Sequence, residues 1–343
     1  MADFDTLSAA EQTARLTNLA QSALPLWGLA ASELHLIKFR ENAVFRVSAP
    51  GGEKYALRIH RHAYHSDEAL RSELQWIAAL DAGGIRVPSI IPTNDGRLFA
   101  HAQSNDVPGE RQIDLFEWVE GKQLGAVEVG LDPGQSIAHV YGTIGELAAR
   151  LHTQALAWQP PDGFRRHAWD ADALAGDNPL WGRFWDLAAL TPSQRSLLLE
   201  AKDRVYRGLK EYQADPENSN RYSMIHADFV AENLLVNGSD VRLIDFDDAG
   251  FGWHLFELAT ALYFERGEPH FNEAYRALIA GYRSECHLPD TQLVHMPLFF
   301  AARSFTYLGW VHTRPETETA RNLTPALIEM SCEAVNDYFS ASQ

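Results

Sequence analysis

The spacing of apolar and polar residues changes twice along the chain. Residues 8–23 are amphipathic, and Ser8 with Glu11 fits a reciprocal helix cap, so a helix is predicted there, stopped by Pro25. From 34 to 60 the period shortens. Runs 34–39, 43–47 and 54–60, punctuated by turn residues such as Pro50-Gly51-Gly52, predict an antiparallel meander. Residues 66–82 return to helical spacing, with Ser66 as cap, Leu70, Leu74, Ile77 and Leu80 on one face, and Gly83-Gly84 as the stop. Strands are expected again at 97–103 and 112–118, around a turn at 106–109.

Past residue 133 helical periodicity dominates. Helices are predicted over 136–152, 191–214, 256–264, 273–286, 293–313 and 324–339, with Pro297 expected to delay or kink the fifth. A short β-rich island, 222–225 and 234–244, interrupts them. Residues 159–182, rich in Pro, Asp, Gly and Trp, are expected to be irregular. The layout is a smaller β-rich part followed by a larger helical part, within a 343-residue chain long enough to bury a core without staples.

Composition narrows the partners. Lys plus Arg number 29 against 46 Asp plus Glu, a net charge of −17, which repels nucleic acid and anionic membranes and favours cationic or neutral ligands. The two cysteines, Cys286 and Cys332, are far apart and fit no metal-ligand pattern, so a reducing, cytoplasmic setting is expected. The N-terminus lacks the features of a secretory signal, and no apolar run approaches a membrane span.

The chemistry concentrates in one stretch. His226-Ala227-Asp228 is followed by Asn233, and after an Asn237-Gly238 turn an apolar strand delivers Ile244-Asp245-Phe246-Asp247. A loop thus carries an Asp and an Asn, and a tight hairpin returns a second Asp beside them. Alone, either motif is common and a structural turn explains it. Together, in this order, they suit phosphoryl transfer: Asn and Asp oxygens for Mg2+, and another Asp to orient a hydroxyl and take its proton.

With these residues in view, the chain resembles the aminoglycoside phosphotransferase superfamily over roughly residues 30–320, most closely at 224–262. The resemblance implies an α+β, protein-kinase-like fold of two lobes, 1–118 and 119–343, and an ATP- and Mg2+-dependent kinase acting on a hydroxyl of a small molecule. It implies Asp228 as catalytic base or substrate-orienting residue, Asn233 and Asp245 as metal ligands, His226 as a residue shaping the loop, and Asp247 as a further metal ligand, a support to one, or a substrate contact. Glu257 stands where the family often has an Asp bracing the catalytic loop.

In the N-terminal part, Tyr55-Ala56-Leu57-Arg58-Ile59 matches the kinase strand that carries a phosphate-pairing Lys, so Arg58 takes that role and Glu73 is its expected helix partner. No Gly-rich loop is present; residues 40–45 stand in its place, with backbone N–H groups and Asn42 as candidate phosphate contacts. Residues 115–121 match the family hinge, where backbone near Glu117, Trp118 and Val119 would meet adenine. No long activation segment is visible, so constitutive activity is expected.

For the acceptor, Asp247, Asp248, Trp253, Tyr263, Arg303, Tyr307 and Trp310 are candidates. Aromatic and acidic groups would suit an ammonium, whereas Arg303 would suit a substrate carboxylate. The family spans aminoglycosides, amino alcohols and amino acids, and one stress-linked branch phosphorylates protein Ser/Thr. That branch and a nucleotide-binding pseudokinase are the competing readings.

Overall fold

The computed structural model describes residues 4, 7–39, 42–126, 130–131, 136–238 and 240–341. In chain order its main elements are α1 (Ala9–Ala23), β1 (Glu33–Phe39), β2 (Ala43–Ser48), β3 (Lys54–Ile59), α2 (Asp67–Ala82), β4 (Phe99–Ser104) and β5 (Val107–Glu117). Then come α3 (Ile137–Ala157), β6 (Ala168–Trp169), α4 (Pro192–Ala214), β7 (Tyr222–Ile225), β8 (Leu234–Asn237), β9 (Asp240–Leu243) and β10 (Gly250–Trp253). Helices α5 (His254–Leu262), α6 (Phe271–Glu285), α7 (Met296–Thr313) and α8 (Glu318–Ala341) complete them. Among the described residues, no helix is long and apolar enough to cross a membrane.

The chain forms two compact units. The first takes Met1–Lys122, Pro160–Arg165 and Leu234–Ile244; the second takes Gln123–Gln159, Arg166–Asn233 and Asp245–Gln343. The first unit is built on a five-stranded sheet in the order β1-β2-β3-β5-β4, antiparallel throughout. Helix α1 begins with both halves of the expected cap, Ser8 and Glu11, and turns Leu16, Leu19, Ala20 and Ala23 into the core shared with Phe45, Val47, Leu57, Ile113 and Leu115. On α2 the buried face carries Leu70, Leu74, Ile77 and Leu80, and also Glu73. The hairpin β8–β9, in register Leu234↔Leu243 to Asn237↔Asp240, is tied to this unit by the Leu243 amide on the Arg86 carbonyl, 3.1 Å.

The second unit is mostly helical. Helices α3 and α6 cross so closely that a Cβ on Gly145 would stand 2.1 Å from the Leu278 carbonyl oxygen, and one on Gly281 would stand 2.0 Å from that of Gly142. A small sheet in the order β7-β10-β6 leads into the Asp228 loop, with β7 antiparallel to β10 and β10 parallel to β6. Helix α7 is buried along most of its length, and Pro297 lies in its first turn, where a missing N–H costs nothing, so it starts the helix without a kink. Helix α8 begins at Glu318, earlier than the expected 324, and continues through Pro325. Buried Ala320 before the proline and Leu327 and Ile328 after it show that packing overrides the local break.

Candidate active site

In the first unit, strand pairing sets Arg58 on β3 directly opposite Asp114 on β5. The two side chains meet as a fork, Arg58 Nε on Asp114 Oδ1 at 3.1 Å and Nη2 on Oδ2 at 2.7 Å. Arg58 Nη2 also donates to Glu73 Oε1 on α2 at 2.7 Å, so the expected pair is present. His60 Nε2 lies 2.9 Å from Asp114 Oδ2, and Asp114 and Glu73 have no exposure. Burial alone would raise the Asp114 carboxyl; the charges of Arg58 and His60 outweigh it and hold the group well below its usual range.

Most of the other candidate groups of this unit are bonded to protein groups. Asn42 Oδ1 accepts from the Arg61 amide at 3.1 Å, while Arg40 and Glu41 lie outside the described residues. At the end of β5 the Glu117 amide bonds the Ser89 carbonyl and the Trp118 amide bonds that of Lys54. The Val119 amide has no partner among the described residues, which leaves a backbone donor where the hinge was expected.

In the second unit β7 ends at Ile225, and the chain enters the Asp228 loop through His226. Both oxygens of Glu257, from α5, accept backbone bonds of 2.7 Å from the His226 and Ala227 amides. Those bonds hold Ala227 in the left-handed region at φ 63°. Burial raises the Glu257 carboxyl, offset in part by His226 and the two amides. The longer acid therefore makes the loop brace expected at this position. The His226 ring packs edge-on to Phe246, with centroids 4.6 Å apart, and its Nδ1 accepts from the Asp228 amide at 3.3 Å.

Asp228 itself is partly exposed. Asn233 Nδ2 donates to its Oδ2 at 2.8 Å and to its carbonyl at 2.9 Å, and Arg303 Nη2 donates to its Oδ1 at 3.1 Å. With both amide hydrogens of Asn233 on Asp228, its Oδ1 is the atom left to coordinate. Asp245 is exposed, at φ 66°, where the chain leaves the hairpin. Next to it, burial raises the half-buried Asp248 carboxyl well above its usual range, with further contributions from the negative charges of Asp228, Asp247 and Asp245. A cluster of hard oxygens with several acidic groups is the chemistry a hard divalent cation prefers, and Asn233 and Asp245 are the residues that could hold one.

The turn after Asp245 is clamped by residues sequence reasoning left as irregular. Arg166 Nε donates to the Ala249 carbonyl and Nη2 to that of Asp247, each at 2.5 Å. The Asp248 carbonyl accepts from His167 Nε2 at 3.0 Å and Trp169 Nε1 at 2.9 Å. Main-chain carbonyls leave no mark in a sequence, so nothing there announced this clamp. Asp114 did leave one, a carboxylate between Ile113 and Leu115 in an apolar strand.

Of the acceptor candidates, Asp247 is buried, and Trp253 and Tyr263 pack in the core at 1% and 0% exposure. Trp310 is half-buried, with the Arg314 guanidinium 5.3 Å from its ring centre. Arg303 is fully buried and turned onto Ala227 and Asp228, and its Nη2 also donates to the Tyr307 hydroxyl at 2.8 Å.

A carboxylate held beside an amide and an acidic turn in one unit, with a strand cation and helix Glu in the other, define a phosphotransferase with a protein-kinase-like fold. The model of the phosphotransferase enzyme family matches residues 37–290, and the chain belongs to that family. It is an enzyme, a small-molecule kinase. The structure of a microcompartment-associated aminopropanol kinase is similar at 32% identity, covering 94% of this chain and 98% of that one, with a TM-score of 0.82. An amicoumacin kinase in complex with AMP-PNP, Ca2+ and Ami shares the fold at 21% identity, 96% coverage of both chains and a TM-score of 0.74. Amicoumacin kinase of Bacillus subtilis (strain 168) is 20% identical over 296 residues, 83% of this chain and 82% of that protein.

Proposed function

We propose that the enzyme transfers the γ-phosphate of ATP, with Mg2+, to the hydroxyl of a small amino alcohol. One observation carries the choice of acceptor. The arginines at the site, Arg303 and Arg166, are spent on protein groups, while the acidic side chains Asp228, Asp245 and Asp248 keep accessible surface. An ammonium group is attracted to that surface, and a carboxylate is repelled. The 32% identity to an aminopropanol kinase supports the same class.

The residues divide the work as follows. Asp228, held by Asn233 and Arg303, accepts a hydrogen bond from the acceptor hydroxyl and takes its proton as phosphoryl transfer proceeds. Asn233 Oδ1 and Asp245 hold Mg2+, which when bound neutralises phosphate charge. Arg58, fixed by Glu73 and Asp114, steadies the nucleotide phosphates. The Val119 amide meets the adenine edge.

Release of ADP tests the proposal, measured with and without Mg2+ for 1-amino-2-propanol, ethanolamine, choline, homoserine and 1,2-propanediol. The amino alcohols should turn over only with Mg2+, and propanediol and homoserine should be poor. Preference for homoserine would overturn the acceptor class, and turnover without a divalent cation would overturn the metal role.

A further inference from the structure

A buried guanidinium is costly to desolvate, so each of its contacts bears on why it is kept. Arg303, in the middle of α7, has no exposure. Its Nη1 donates to the carbonyl of Ala227 at 3.0 Å, and its Nη2 reaches Asp228 Oδ1. Rings of Trp181, Phe256 and Tyr307 stand around the guanidinium carbon at 5.4, 5.7 and 4.3 Å. The Nε is buried and has no hydrogen-bond partner among the described residues. The paired donors of Arg303 go to the two consecutive residues that set the catalytic carboxylate and to the Tyr307 hydroxyl.

We infer that Arg303 is a positioning residue for phosphoryl transfer, acting through Ala227 and Asp228 and not by touching the acceptor. The inference rests on the assignment of Asp228 above. Ala227 sits in a left-handed conformation, pulled from its amide by Glu257 and from its carbonyl by Arg303. The carboxylate of Asp228 is gripped on Oδ2 from its own loop by Asn233 and on Oδ1 from a helix 75 residues away by Arg303. Two anchors on separate elements fix the direction in which Asp228 faces a hydroxyl. The planar fork aims two donors in fixed directions, one at the carbonyl and one at the carboxylate, where a lysine offers a single freely rotating ammonium.

The experiment is a double-mutant cycle of R303M and D228N, with R303K beside it, read as kcat and KM for acceptor and ATP and as ADP affinity by calorimetry. R303M should lower kcat about 10²-fold, the scale of losing a placed general base. ATP KM and ADP affinity should stay within about twofold, since residues more than a contact away couple weakly. R303K should recover about a tenth of the wild-type rate, having the charge but not the fork. In the D228N background R303M should cost less than about threefold, because residues acting as a unit are not additive. Additive losses, or a raised acceptor KM with kcat kept, would overturn the inference, the second showing direct substrate binding. If R303M does not fold, R303K in both backgrounds decides by the same additivity test. If no amino alcohol is turned over, the functional reading fails separately, and the cycle is read on hydrolysis of Mg-ATP, with water as the acceptor.

Discussion

Each unit buries an arginine against acidic groups, and the two arginines are matched differently. Arg58 meets two fully buried carboxylates, Glu73 and Asp114, and the second is shared with His60. Arg303 meets one carboxylate, one carbonyl, a phenol and three aromatic faces. The first arginine is outnumbered by negative charge on a sheet and its covering helix, a rigid setting that keeps a cation in place. The second is cushioned by rings and directs its donors at a loop. A buried cation thus serves as scaffold in one setting and as aim in the other, and the partners tell which.

The comparison can be broken most directly at the carboxylates. D228N should leave ADP binding intact and lower kcat by about 10²–10⁴-fold, the range for losing a general base. Equal loss of ADP affinity would show that the aimed carboxylate serves the nucleotide. D114N should act on the scaffold instead. Breaking a buried charge network costs on the order of 3 kcal/mol, seen as a lower midpoint in urea, and the loosened Arg58 should raise the KM for ATP more than it lowers kcat of the folded enzyme. A large kcat loss at unchanged stability would erase the distinction between the two arginines. Next in size is R166M, which removes the clamp on the carbonyls of Asp247 and Ala249. It should weaken Mg2+ binding about 10–100-fold by calorimetry in the presence of ADP, as loss of outer supports to a metal site does.

The smallest effect separates the two units by their acid response. Asp114 is depressed below its usual 3.8, so its contribution is present above that pH and lost as pH falls through the folded-state value. In the second unit His152 stacks on His254 with ring centres 3.9 Å apart, and burial pulls His152 down from 6.5 to about 3. The unfolded chain takes up a proton that folded His152 refuses, so stability falls as pH drops below 6.5 toward 3. The slope is at most about 1.4 kcal/mol per pH unit for one such histidine. Urea midpoints between pH 7.5 and 5.5 should decline for wild type and decline less for H152Q. Equal slopes would show that His152 does not carry the effect.

Much of this is legible in the sequence. Helix caps at Ser8 and Ser66, the loop carrying Asp228 and Asn233, and the Asn237-Gly238 hairpin that leads to Asp245 are local features with local signals. Glu73 was findable because helical spacing put it on the apolar face of α2. What stayed hidden depends on distant parts of the chain meeting. Arg303 lies in a helix apolar nearly all round, and its spacing cannot reveal a partner 75 residues away. Strand β10 was missed because its glycines look like a turn. They are required there, since a Cβ on Gly252 would come within 2.4 Å of Ile225 and one on Gly250 within 2.7 Å of the His167 carbonyl oxygen.

The bond from the Trp169 indole to the Asp248 carbonyl gives the enzyme a built-in spectroscopic probe. The chain has nine tryptophans, so a spectrum of 15N-indole-labelled protein carries nine side-chain N–H signals, and W169F identifies the relevant one by its disappearance. That proton touches the carbonyl three residues beyond Asp245, and its chemical shift follows the length of the bond it makes. Titrating ADP and Mg2+ while watching this single resonance therefore reports how the turn after Asp245 responds to ligand, with no label attached near the chemistry.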